Sequence, residues 1–394
     1  MPTNCEVILR TVISTATAPQ PVSVASPAGA RFHLGYARTL DGVRALAVLA
    51  VMSVHANLPG MRGGFLGVEA FFVLSGFLIT ALLMEEWEKR GGISLRMFYA
   101  RRALRLLPAL FVCVAVVTLF TAMRTPPEDA AATRHSALAA VLYAANWVRA
   151  FRIEPAADWL AHTWSLSIEE QFYMLWPPLL AWLLRGRVKT AHVVLALATA
   201  VVGVGVYRAA LFGAGRPWYR LYNGLDTRAD CLLTGCLVGV IVAGGMFNAA
   251  GRAVTALRAA ALMSLVGVLA VGARATYMGA LLYLGGMSVV AVGFAAIIMA
   301  LVVAPWRPVA AALEWKPLVG IGRISYGLYL WHVPAFHALR DVPLRTRYVV
   351  LLQFAAAFGC AIASFYLIER PFLRLKRRFT PAAELKARVI TSAS

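Results

Sequence analysis

The sequence predicts an all-α fold: a polytopic membrane helix bundle of about ten transmembrane helices with both termini cytoplasmic. Three observations lead there. Of 394 residues, 60% are hydrophobic, well above the share in a soluble globular chain. The formal net charge is +20, which basic cytoplasmic loops between apolar spans explain. Apolar runs fall at about 40–58, 65–84, 103–123, 165–184, 190–211, 229–246, 259–275, 278–304, 320–338 and 347–369. Each approaches the roughly 20 residues needed to cross the hydrocarbon core.

Charge sets the count. A further run, 138–150, is short and ends in polar residues. The connectors Glu85–Arg102 and Arg185–Lys189 and the tail from Arg370 are basic and belong inside. All three sit inside only if 138–150 stays re-entrant or at the surface. The positive charge is then topological. Basic patches interleaved with aromatics, as single-strand binding needs, are absent, so no nucleic-acid partner is expected. The five cysteines form no CxxC pair, and four lie in apolar runs. Neither a metal site nor a disulfide framework is indicated.

In chain order, residues 1–38 are rich in Ala, Pro, Ser and Thr and read as a flexible cytoplasmic tail without a secretory signal. The first helix, Thr39–Asn57, carries Asp41, Arg44 and His55. On a 3.6-residue period Arg44 and His55 fall within about 20° of each other and roughly 16 Å apart along the axis. Ionisable groups on a membrane-grade helix face a bundle interior or a wet cavity.

The second helix begins GGFLGVEAFFVLSGFLIT, small residues suited to close packing with Glu69 as the polar exception. The third opens FYARRALRLLPAL. Arg101, Arg102 and Arg105 there read as a positive-inside anchor or as a phosphate clamp, since guanidinium pairs bidentately with phosphate oxygens. In HTWSLSIEEQFYMLWPPLL, residues His162, Ser165, Glu169 and Tyr173 align at near-helical spacing if the helix starts by His162. Glu169 and Glu170 at the outer end of that span need a partner or solvent; a structural arginine and a substrate contact both satisfy them. Arg228 and Asp230 read as a buried or water-facing pair. In ISYGLYLWHVP, Tyr326, Tyr329 and Trp331 suit an interfacial belt, and a lone His332 suits packing as well as catalysis. In IERPF, Glu369 and Arg370 read as a helix-end anchor. The domain plan is therefore a tail (1–38), one membrane domain (39–372) and a basic cytoplasmic tail (373–394).

Taken in order, LDGVRALAVLAVMSVHA, GGFLGVEAFFVLSGFLIT, FYARRALRLLPAL, HTWSLSIEEQFYMLWP, ISYGLYLWH and IERPF resemble the acyltransferase family 3 membrane proteins, from Leu40 to Phe372. The family moves acyl groups from acyl-CoA to hydroxyls of sugars and related molecules. The resemblance implies a ten-helix core, with His55 as essential histidine and Arg44 its motif partner. Asp41 is expected to pair with Arg44. Arg102 and Arg105 match the family's paired arginines, implicated in acyl-CoA use, which favours the clamp. Glu69 stands where the family commonly has aspartate. The eleventh helix and extracytoplasmic hydrolase-like domain of some members are not expected here.

The expected reaction takes an acyl group, acetyl by default, from cytoplasmic acyl-CoA to a carbohydrate, lipid-linked sugar or glycosylated small molecule. No bound cofactor is expected, and the setting is the cytoplasmic (inner) membrane. His55 would act as general base, with an acyl-imidazole as competing route. Glu69, His162, Ser165, Glu169, Glu170, Tyr173, Arg228, Asp230, Tyr326 and His332 are acceptor-side or structural candidates. Trp147, Trp159, Trp164, Trp218 and Tyr222 could stack on a sugar or anchor the interface. A proton-coupled transporter is the rival reading, opposed by the absence of repeats and by the arginine cluster.

Overall fold

A computed structural model describes residues 33–153, 158–247 and 250–375. The tails expected at 1–38 and 373–394 fall mostly outside these residues. All regular structure among the described residues is helical.

The first apolar run forms α1 (Arg38–His55). A 3-10 turn at Arg62–Leu66 leads into α2 (Gly67–Arg90). The third run is α3 (Leu95–Arg124), capped by Ser94, whose hydroxyl accepts from the Met97 N–H at 3.5 Å. The short 138–150 run breaks in two: α4 (Pro127–Val141) and α5 (Ala145–Phe151). Tyr143, at φ 52°, sits in the break. At about 1.5 Å rise per residue neither piece spans a bilayer alone.

Then come α6 (Thr163–Arg185), α7 (Thr190–Gly213), the short α8 (Trp218–Asn223) and α9 (Ala229–Ala243). Next are α10 (Gly251–Arg274) and α11 (Met287–Val303). A π turn at Leu282–Gly286 precedes α11 and turns on Gly285, whose φ of 135° suits glycine alone. The 320–338 run is split at Ile324: α12 (Arg307–Leu313) and α13 (Lys316–Arg323) precede α14 (Ser325–Leu339). The chain closes on α15 (Thr346–Ser364), a π turn and α16 (Arg370–Leu375).

The centre of the bundle is α2 packed along α9. A Cβ on Gly76 would lie 2.0 Å from the Leu232 carbonyl oxygen, and one on Gly235 2.1 Å from that of Val73. Only hydrogen fits at either place, so the two backbones touch. α9 also packs on α7 and α11, while α1 sits among α2, α13 and α14. α10 lies at the periphery against α11 and buries Val268 alone.

Among the described residues, six segments are long and apolar enough to cross a membrane: those holding α2, α3, α7, α10, α11 and α15. The other expected spans are shorter or carry charge. α1 holds Arg38, Asp41 and Arg44, and α6 holds Glu169 and Glu170. These polar helices, together with α2, α3 and α14, build the site.

Candidate active site

α1, α2, α3, α6 and α14 surround a cavity of about 590 Å³. Its lining includes Arg44, Lys89, Arg90, Arg101, Arg102 and Arg105 with Asp41, Glu85, Glu86 and Glu169. Most of these charges have partners. Arg44 meets Asp41 at 3.4 Å, Arg101 meets Glu86 at 3.3 Å, and Lys89 pairs with Glu85. Arg102 grips Glu170 at 2.7 Å, with its guanidinium 3.3 Å from the centre of the Tyr173 ring. Arg105 is exposed to the cavity and makes no ion pair among the described residues. Of the three arginines expected as a clamp, it is the one available to an incoming anion.

The wall opposite is α6. Ser165, Glu169 and Tyr173, expected to align along one helix, all line the cavity; α6 starts at Thr163 with His162 as its cap. Ser75 donates to Glu169, and Tyr173 to Glu169 at 3.5 Å. Glu170 pairs with Arg102 and Glu169 lies near it, so the acids have the structural arginine that was one of the two expected ways to satisfy them. Tyr326 also lines the cavity and donates to the Leu106 carbonyl at 2.9 Å.

Three histidines gather beyond this cavity. The rings of His55 and His332 meet edge to face, centroids 5.0 Å apart, and His162 lies 5.3 Å from His332. His55 is exposed at the end of α1, while His162 and His332 are buried. His55 Nδ1 lies 2.8 Å from the Val51 carbonyl oxygen. A carbonyl only accepts, so Nδ1 carries the proton and Nε2 offers a lone pair. His332 is held likewise: Nδ1 is 2.6 Å from the Tyr329 carbonyl and 3.2 Å from that of Leu328. None of the three histidines lines the arginine cavity. Ser165 and Tyr329 do, and their hydroxyls meet at 2.5 Å. Tyr329 in turn lies 5.5 Å from His332 and 5.7 Å from His162, ring to ring. The cavity and the histidines are therefore separated by one layer of side chains.

Glu69, Arg228 and Asp230 belong elsewhere. Arg228 and Asp230 do not pair with each other. Arg228 donates to Glu69 at 2.7 Å, and Arg208 reaches Asp230 at 2.9 Å, all four fully buried. Ser288 bridges by donating to Asp230 and accepting from Arg208, each at 2.7 Å. These pairs tie α2, α7, α9 and α11 together. Arg208 was missed in the sequence, where its signal was one charge inside the 190–211 run. Ser75 gave no signal. Glu369 takes a hydrogen bond from Ser364 at 3.4 Å rather than pairing with Arg370.

Of the aromatics, Trp164 packs on Tyr222 at 4.9 Å, and the Arg228 guanidinium sits 4.8 Å from the Tyr222 ring. Trp147 stacks on Phe151 at 5.7 Å, Trp159 lies 5.5 Å from His337, and Trp218 is 5.3 Å from Tyr277. Among the described residues no three His, Cys, Asp or Glu side chains converge as a metal site requires.

A family model described as an acyltransferase domain, that of acyltransferase family 3, matches residues 38–370. Over 359 residues the chain is 36% identical to the peptidoglycan O-acetyltransferase OatA of Listeria monocytogenes, covering 86% of this chain and 56% of that protein. It is 34% identical to the O-acetyltransferase OatA of Staphylococcus aureus over 368 residues, 85% of this chain and 57% of the relative. The putative peptidoglycan O-acetyltransferase YrhL of Bacillus subtilis is 32% identical, with coverage of 86% and 55%. The chain thus spans a little over half the length of these relatives. No solved structure matches it. A match over the whole described bundle, with the arginine cavity and the histidines inside it, places the chain in acyltransferase family 3.

Proposed function

We propose that this chain is a multi-pass membrane O-acyltransferase that moves an acetyl group from cytoplasmic acetyl-CoA to a hydroxyl of a cell-wall glycan. One observation carries the reading. A cavity walled by cations, with Arg105 unpaired, lies one side-chain layer from an imidazole whose Nε2 is free. Coenzyme A carries a 3′-phosphate and a pyrophosphate, for which Arg105 offers the unpaired guanidinium, with Arg101 and Lys89, held by Glu86 and Glu85, beside it at the mouth. Its pantetheine arm would run inward along the apolar side chains of Phe71 and Phe98. The glycan is chosen because the similar OatA and YrhL proteins bear the names of peptidoglycan O-acetyltransferases.

In the reaction, Nε2 of His55 takes the proton of the acceptor hydroxyl as its oxygen attacks the thioester carbon. The carbonyl fixing Nδ1–H holds the ring in the tautomer this needs. The C–S bond then breaks, and the CoA thiolate leaves with the proton His55 collected. We further propose ten spans with both termini cytoplasmic in the cytoplasmic membrane, α4 and α5 lying within the outer leaflet or its surface.

The test is direct. Membranes containing the chain, given acetyl-CoA labelled in the acetyl group and peptidoglycan fragments, should yield alkali-labile label on the glycan. Acetyl-CoA consumed without any labelled glycan, or no consumption at all, would overturn the assignment. Uptake of an unmodified solute driven by a proton gradient would favour transport.

A further inference from the structure

We infer that Tyr329 is a gate between the donor cavity and His55, with two hydrogen-bonding stations: Ser165 when closed and Nε2 of His332 when open. The inference rests on the acyl-transfer reading above. In the closed state, seen here, the hydroxyls of Tyr329 and Ser165 meet at 2.5 Å, and each lies 3.2 Å from the His162 carbonyl oxygen. Both residues are buried and line the donor cavity. Together they form the layer that keeps the cavity from the histidines.

The second station is an unsatisfied acceptor. His332 is fully buried, and two carbonyls hold a proton on its Nδ1. Its Nε2 therefore carries a lone pair, and no donor reaches it among the described residues. A buried acceptor left without a donor is costly and is kept where another state supplies one. Tyr329 stands one helical turn before His332 on the same face of α14, its ring 5.5 Å away, and has a hydroxyl to give.

The helix is loosened at this turn. Pro334 has no N–H for the Leu330 carbonyl, which takes the Cys113 thiol instead at 3.6 Å. Swinging the phenol from Ser165 to His332 exchanges one hydrogen bond for another and opens the layer.

Such a gate has a chemical purpose. With the layer open and no acceptor present, water could give its proton to His55 and attack the thioester carbon. The C–S bond would break, acetate would form, and the thiolate would leave with that proton. Closing the layer until an alcohol is in place suppresses this loss.

The purified full-length chain, given acetyl-CoA with or without peptidoglycan fragments, provides the measurement: CoA thiol released against acetylated glycan formed. In the wild type the two should match, with little release when acceptor is withheld. Ser165→Ala removes the closed contact and keeps the phenol that makes the open one, so acceptor-independent release should rise about fivefold, the shift one hydrogen bond supports. His332→Ala removes the open station, so release and product should fall together. Opposite signs on one network are not what simple loss of fold produces. Wild-type release from Ser165→Ala that is monodisperse on size exclusion would overturn the gate while leaving acyl transfer standing. A wild-type chain that neither releases CoA nor acetylates glycan would remove both.

Discussion

A backbone carbonyl decides what His55 can do. The Val51 carbonyl accepts the hydrogen bond of Nδ1–H, so Nε2 presents the lone pair that the proposed reaction uses as base. His55→Ala should lower transfer by about 10²–10⁴-fold, the usual loss of a general base, with membrane insertion unchanged. Transfer near the wild-type rate in properly inserted protein would dismiss the base. The arginines divide by their partners. Arg105→Ala removes an unpaired cavity cation and should raise the KM for acetyl-CoA by about tenfold, with kcat nearly kept. Arg102→Ala strands Glu170 and the face of Tyr173, and should reduce folded protein before any effect on KM can be read. Equal KM effects from the two variants would argue against this division. Asp41 and Arg44, three residues apart on α1, do pair and were legible in the sequence as one turn of a helix. The grouping of His55 with His332 and His162 was not, because it joins three helices remote in the chain.

At the scale of elements, α2, α7, α9 and α11 are held by Glu69–Arg228 and Arg208–Asp230 in a region sealed from water. Removing one member of such a pair leaves a buried charge alone and costs about 3–5 kcal/mol. Arg208→Met should therefore lower the melting temperature or abolish monodisperse protein, and Arg208→Met with Asp230→Leu should recover much of the loss. Thermal unfolding followed by size exclusion reads both. A single variant as stable as the wild type would mean that the pair carries no such burden. Hydrophobic runs located these helices well, because a bilayer demands length and apolarity of each. The same runs concealed the breaks near Tyr143, Gly285 and Ile324, where backbone turns interrupt an apolar pattern that composition leaves continuous. Arg228 and Asp230 misled for a related reason. Two residues apart on a helix, their side chains diverge, and each finds a partner on another element.

For the whole molecule, the arginine cavity supports the proposed orientation. Its lining joins the end of α2 at Glu85, Glu86, Lys89 and Arg90 to the start of α3 at Arg101. That is the basic connector which the positive-inside rule assigns to the cytoplasm, the compartment that supplies CoA. Leu34, ahead of α1, and Leu373, in α16, line the same cavity. Both ends of the described bundle therefore lie beside this cavity, which agrees with the proposed even number of crossings, with α4 and α5 not adding one. Reporters active only in the cytoplasm, joined ahead of residue 33 or after residue 375, should both be active. One placed in the 339–346 connector should be silent, because α14 and α15 separate it from the donor face. Activity from a single terminus would imply an odd number of crossings and put the arginine cavity and one end of the chain on opposite sides. Coenzyme A could then no longer be the molecule those guanidinium groups await.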